Sequence, residues 1–214
     1  MIKVENVDVW GFEHAIRGMR NPMNSWNKSD SEFTHYPSEF TNSGCIIGEN
    51  DLRLMSRLYK AGHPHRKYLR QIMVSMDIVA PLYWWKEFDT YKVGTTANSC
   101  STMHKIAAKK FELDDFSHEH LSASALKALN YVIAELNSAR EMFFPDNKRE
   151  HWWDMIQLLP SSYNQRRTIT MNYENVFNIL QYRQKHKLDE WNIFCDELKK
   201  LPYVTDLLVM VGEI

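Results

Sequence analysis

The spacing of apolar positions divides this chain into a mixed first half and a helical second half. Ile2, Val4, Val7 and Val9 read as a short opening strand whose alternation changes phase at Glu5-Asn6. Phe12, Ile16 and Met19 then recur at helical spacing, and that helix must stop before Pro22. From Asn21 to Asn50 the text is polar and irregular, a long loop of the kind that more often binds or forms an interface than idles. Asn50 or Asp51 is placed to cap a helix with Leu52, Met55 and Leu58 on one face, and Gly62 is placed to end it. Ile72, Val74, Met76 and Ile78 alternate with Gln71, Met73, Ser75 and Asp77, the clearest strand in the chain, with Pro81 at or beyond its end. A helical turn is predicted from Tyr83 to Phe88. The block from Asp89 to Lys105 is small, polar and nearly free of core residues, which predicts a loop that holds something.

Beyond it, Leu126, Leu129, Ile133 and Leu136 form an apolar stripe after a polar start at Ser117, closed by Phe143-Phe144-Pro145. Asp146 or Asn147 begins the next helix, with Trp152, Met155, Ile156 and Leu159 apolar, and a final helix carries Trp191, Phe194 and Leu198. Between these, the strand-like run Thr168–Met171 feeds a helix opening at Asn172, a good N-cap, with Glu174 suiting the positive end of the helix dipole. Val176, Ile179, Leu180 and Arg183 share one apolar stripe. A guanidinium facing a core brings an anion with it, either an internal carboxylate or a bound phosphate, and the spacing leaves both open. Asn175, Asn178 and Tyr182 form a neighbouring polar stripe able to reach a ligand across the helix. With no internal repeat, low-complexity tract or clear linker, a single α+β domain over 1–214 fits best.

Composition narrows the function classes. A chain of 214 residues, 44% hydrophobic, is sufficient for one well-buried domain. A net charge of −1 gives no strong field toward nucleic acid or an anionic membrane. No apolar run approaches bilayer length and the amino terminus shows no signal-peptide pattern, so a reducing cytoplasm is the expected setting. Cys45, Cys100 and Cys195 are scattered and odd in number, which supports neither a disulfide framework nor a zinc site. His118-Glu119-His120 has the look of metal chemistry, but histidines two apart diverge on a helix, and capping by Ser117 with solvated histidines accounts for them better; no metal is expected. The rich supply of Trp, Tyr and Phe suits core, subunit interface or a flat ligand.

The segment Asn172…Asn178…Arg183 followed by Trp191 resembles the C-terminal signature of the flavin-dependent thymidylate synthases. Gly62-His63 before a strand and Ala80-Pro81 after it follow the order of the same family. Its loop signature is Arg-His-Arg, two variable positions, Ser, a variable, Asn-Glu, a variable, Ser, a variable, Arg-Tyr. The nearest match here is Thr90-Tyr91-Lys92, Thr95 or Thr96, Asn98-Ser99, Ser101 and Met103-His104. Asn98 and Ser101 keep their spacing, Lys92 stands for one arginine with one extra residue allowed, and the other arginines and the glutamate are absent. Lysine supplies a point charge without the fork, so the phosphate contacts are weakened unless Arg66, Arg70, Arg166 or Arg167 replaces them.

The resemblance implies an α+β fold with a central sheet flanked by helices and a helical C-terminal half. It implies dUMP or a related pyrimidine nucleotide as ligand, FAD as cofactor, NADPH and methylenetetrahydrofolate as co-substrates, and a cytoplasmic homotetramer. By motif position, Arg183 would polarise the pyrimidine and Ser101 donate to a phosphate. His63, Lys92, Asn98, Asn172 and Asn178 would contact cofactor. Two functions follow: a thymidylate synthase-like methyltransferase, or, given the lost arginines, a non-catalytic protein that binds or sequesters nucleotide on the same fold.

Overall fold

Residues 1–34 and 44–213 are described by a computed structural model; 35–43, within the predicted long loop, and 214 lie outside the described residues. The opening strand is β1 (Lys3–Trp10), and its change of phase is Asn6 at φ 52°, a left-handed position that asparagine tolerates. Gly11, at φ 96°, launches α1 (Phe12–Arg20); a Cβ there would lie 2.1 Å from the Gln71 carbonyl oxygen, so no other residue fits. Pro22 falls in a 3₁₀ turn after the helix. The long loop contains β2 (Glu32–Thr34) and β3 (Gly44–Ile46), an antiparallel pair with Phe33 opposite Cys45.

The next helix, α2 (Glu49–Lys60), begins earlier than predicted, with Gly48 at its N-cap. Asp51 does not cap it, because its carboxylate is buried against Arg20. Gly62, at φ 94°, follows the last turn as predicted. β4 (Met73–Pro81) alternates in burial as its sequence alternates, and Pro81 is both its last residue and the N-cap of α3 (Leu82–Phe88). The polar block after α3 is not all loop: it forms β5 (Thr95–Ser99) and the short α4 (Thr102–Lys105). An edge strand with mostly exposed side chains leaves no alternation to read.

Ser122, not Ser117, caps α5 (Ala123–Asp146), and Pro145 lies inside its last turn. Then come α6 (Arg149–Leu158), β6 (Asn164–Asn172), α7 (Tyr173–Arg183), α8 (Asp189–Lys199) and α9 (Val204–Val211). The final predicted helix is α8, and α9 lies beyond it. Among the described residues the main sheet has four strands in the order β1-β4-β6-β5. The fold is α+β with a helical C-terminal half.

The chain packs as two compact units. One comprises 1–3, 78–90 and 98–168. Its core joins α5 and α6 through Leu136 and Met155, with Phe111 and Phe116 packed alongside. The other comprises 4–77, 91–97 and 169–214. There Phe12 meets Tyr173 edge-on at 5.6 Å, and Tyr59 meets Phe177 at 5.1 Å. Each such buried ring contributes roughly 1.5–3 kcal/mol by burial. No helix among the described residues is long and apolar enough to cross a membrane.

Candidate functional site

Asn172 accepts a hydrogen bond from the Asn175 amide at 3.1 Å and so opens α7 as predicted. Its eleven residues span about 16 Å at 1.5 Å per residue. The N-terminal end of the helix carries a cluster of basic side chains, the C-terminal end carries Arg183, and Asn175 and Arg183 both bind residues of the segment 91–97.

At the N-terminal end the organising residue is Glu174, buried in the first turn. Arg70 Nε donates to Oε2 at 2.6 Å, Arg66 Nε lies 3.7 Å from Oε1, and His63 Nε2 lies 3.5 Å from the same oxygen. His63 is exposed and rests against Arg70 Nη2, with the two ring nitrogens 3.2 and 3.0 Å away. Arg66 also lies over the Tyr59 ring at 5.1 Å. Two arginines and a histidine thus face one carboxylate, leaving a surplus of positive charge. Arg66 Nε is buried without a hydrogen-bond partner among the described residues. Such an orphaned donor costs about 1–3 kcal/mol unless an anion or water meets it. A diphosphate-bearing cofactor such as FAD fits that donor set, and these three side chains are the ones that would hold it.

The middle of α7 holds backbone rather than ligand. Asn175, predicted to reach a ligand, is buried instead, and its Nδ2 donates to the Val93 carbonyl at 2.6 Å and the Thr95 hydroxyl at 2.8 Å. Gly94 passes Asn172 so closely that a Cβ would lie 2.4 Å from the Asn172 Nδ2. Asn172 is therefore committed to cap and loop. Asn178 is half-buried one turn further on, while Lys92 and Tyr182 are exposed.

At the C-terminal end Arg183 lies among aromatic rings. Its guanidinium lies over the Trp191 ring at 4.6 Å and the Tyr91 ring at 5.6 Å. Nε donates to the Tyr91 hydroxyl at 3.0 Å, and Nη1 is 3.3 Å from His186 Nε2. His186 is itself held, its Nδ1 accepting from the Leu188 amide and its backbone exchanging two hydrogen bonds with the Asn192 side chain. A planar cation between rings is what arginine does better than lysine. Its place in the last turn also suits the negative end of the helix dipole.

The other unit contains Asn98 and Ser101. Asn98 is exposed on β5, and the Ser101 hydroxyl caps α4, accepting from the His104 amide at 3.1 Å. Arg167, a candidate replacement for the lost phosphate contacts, lies over Trp85 at 4.3 Å and pairs with Asp89 at 2.8 Å, while Arg166 is exposed. Among the described residues no group of three His, Cys, Asp or Glu side chains could hold a metal ion.

Sequence reasoning missed Tyr91, His186 and the hub at Glu174. Tyr91 enters the sequence reading only within the nearest match to the loop signature and with no role of its own, since one aromatic in a polar block has no periodicity. Glu174 did carry a signal: an acid in a first turn with Arg66 and Arg70 placed before a paired strand.

No protein-family model matches the chain, and no curated protein matches it in sequence. Solved structures do match. The flavin-dependent thymidylate synthase of Helicobacter pylori, complexed with FAD and dUMP, covers 92% of this chain and 91% of its own at TM-score 0.65 and 16% identity. A second crystal structure of that synthase with FAD and dUMP covers 99% of each chain at TM-score 0.68 and 15% identity. A UMP/dUMP methylase from Streptomyces cacaoi, bound with 5-Br UMP, covers 100% of this chain and 96% of its own at TM-score 0.65 and 13% identity. At such identity the likeness is one of fold, and function rests on the site. The chain has the fold of the flavin-dependent thymidylate synthases.

Proposed function

We propose that this protein binds a pyrimidine nucleotide, dUMP or a close relative, and methylates it reductively to dTMP. The observation that supports this reading is Arg183, fixed by the Tyr91 hydroxyl and set against Trp191 at the end of α7. A pre-oriented guanidinium can donate to a pyrimidine carbonyl and draw electron density from the ring, and orientation is the protein's main contribution when a cofactor carries the hard step. His63, Arg66 and Arg70 would hold the cofactor's phosphates at the other end of the helix, with Asn178 between. Asn98, Asn172 and Ser101 keep their places in the family pattern and Lys92 stands for one of its arginines, with Ser101 donating a hydrogen bond to a phosphate. The chemistry at the site would then be hydride transfer from FAD reduced by NADPH, with the one-carbon unit coming from methylenetetrahydrofolate. Purified protein should be yellow or become so with FAD, bleach with NADPH, and form dTMP from dUMP. A colourless protein that gives no heat with FAD sinks the catalytic reading.

A second reading is favoured by Asn172 and Asn175, whose side chains are spent on capping and on the loop. On that reading the fold binds nucleotide without turnover. On either reading dUMP at 100 times its dissociation constant adds about 2.7 kcal/mol of stability; that shift without FAD binding or turnover supports the second reading, and dTMP formation excludes it.

A further inference from the structure

A cavity of about 620 Å³ opens on α2, away from α7, lined by Arg20, Lys28, Arg53, Leu54, Arg57 and Met210 with two small polar residues. Among the described residues, four of the lining side chains are cationic and none is acidic. For a chain with 26 basic and 27 acidic residues, that is a local concentration of one sign.

The arrangement comes from helix spacing and from one rigid wall. Arg53 and Arg57 are four apart on α2, so both point the same way, with Leu54 beside them. Arg20 is 4% exposed and fully tied down: Nε to Asp51 at 2.6 Å, Nη1 to the Ser25 carbonyl at 3.1 Å and Nη2 to the Lys28 carbonyl at 2.9 Å. That clamp fixes the turn carrying Lys28 and keeps the cavity from closing. Arg20 is neutralised by Asp51, which leaves Lys28, Arg53 and Arg57 to meet a ligand. Glu49, which pairs with Arg53, is 73% exposed, and a pair so solvated offsets little of the charge. Leu54 and Met210 give the same cavity an apolar patch, and Met is an adaptable surface for a flat ring. The volume lies within the ~300–1,000 Å³ of small-molecule sites.

We propose that this cavity is a second ligand site, distinct from α7, for an oligophosphate, with a nucleoside triphosphate as the form that uses both the cations and the apolar patch. Two guanidinium forks one turn apart suit adjacent phosphates, and Lys28, Arg53 and Arg57 together offset most of the charge of a triphosphate chain. The inference does not depend on the thymidylate synthase reading.

Calorimetric titration of the full chain with inorganic tripolyphosphate and with ATP tests it. Both should bind, more weakly as salt rises. Arg57→Ala and Arg53→Ala, exposed substitutions on a helix that alanine favours, should each weaken binding about tenfold or more while the melting temperature holds. Arg183→Lys should leave both affinities unchanged. ATP tighter than tripolyphosphate places the base on Leu54 and Met210, and equal affinities reduce the site to the phosphate chain. No binding at millimolar tripolyphosphate and ATP overturns the proposal, as does binding lost with Arg183→Lys but kept with Arg57→Ala.

Discussion

The side-chain amide of Asn175 reaches the Val93 carbonyl at 2.6 Å, so one residue of α7 sets the path of the segment before β5. The same nitrogen holds the Thr95 hydroxyl at 2.8 Å, and Gly94 between them takes φ 71° to pass over Asn172. The resemblance assigns this segment to ligand binding, and the structure fastens it to the helix bearing Arg183.

Asn175→Ala should release the segment. Removing one buried amide that satisfies two acceptors costs about 1–3 kcal/mol. Amide hydrogen exchange over 91–97 should speed up by far more than the loss of global stability explains. Uniform exchange change across the chain would show that the segment is held by something else.

Gly94→Ala tests the same seam by sterics. A Cβ would collide with the Asn172 Nδ2 at 2.4 Å, and the left-handed φ adds about 1 kcal/mol of strain for a residue with a side chain. Asn172 must shift or the α7 cap must break, so helix capping and loop packing fail together. A drop in melting temperature is expected, with urea midpoints reporting a loss of about 2 kcal/mol. A variant as stable as wild type would mean the seam has slack.

The ion pair of Arg20 and Asp51 predicts an acid limb. Burial pushes the Asp51 carboxyl up, but hydrogen bonds from Ser29, Ser31, Arg20 and the Asp30 amide outweigh it, and the group ends below its ordinary value. A depressed folded pKa means that the unfolded chain binds its proton first as pH falls. The stability is therefore complete above the ordinary carboxylate range near ~4 and drains away as pH drops through the lower folded value. Asp51→Asn should flatten that limb in urea titrations run from about pH 7 to 2. It should also cost about 3–5 kcal/mol at neutral pH, because Arg20 would be left buried against a neutral partner. An acid slope identical in both proteins would place the titration elsewhere.

What was legible in the sequence follows from what repeats. β4 was readable because Val74, Met76 and Ile78 are buried on alternate positions, and α7 because Asn172 caps in the usual way. β5 was hidden because Thr95–Ser99 is nearly all exposed, and α9 follows Trp191, Phe194 and Leu198, the last residues whose spacing predicts a helix. Arg183 stood out from its stripe, but its partners did not: Tyr91 is 92 residues away in the chain. Glu174 was legible as an acid in a first turn, but its pairing with Arg66 and Arg70 was not, since Arg70 is 104 residues away in the chain. Local spacing marks the residue that needs a partner; only the fold supplies the partner's number.

Arg183→Lys and Tyr91→Phe together decide what the end of α7 is for. Lysine keeps the charge but loses the planar face over Trp191 and Tyr91, a contact worth roughly 0.5–2 kcal/mol, so the variant should melt only a few degrees lower. Phenylalanine keeps the ring and removes only the hydroxyl that fixes Nε, so Tyr91→Phe should leave the melting temperature almost unchanged. If Arg183 orients a pyrimidine, both variants should bind dUMP more weakly, the lysine variant by tenfold or more, about 1.4 kcal/mol, and the phenylalanine variant by a few-fold. The order matters more than the sizes, because affinity then falls in a protein whose stability has scarcely moved. Should Arg183 serve only to pack α7 against Trp191, Arg183→Lys will melt early and bind dUMP as wild type does, and Tyr91→Phe will bind normally too. That pair of results would remove Arg183 from the site and leave the cluster around Glu174 as the anion-binding end of the helix.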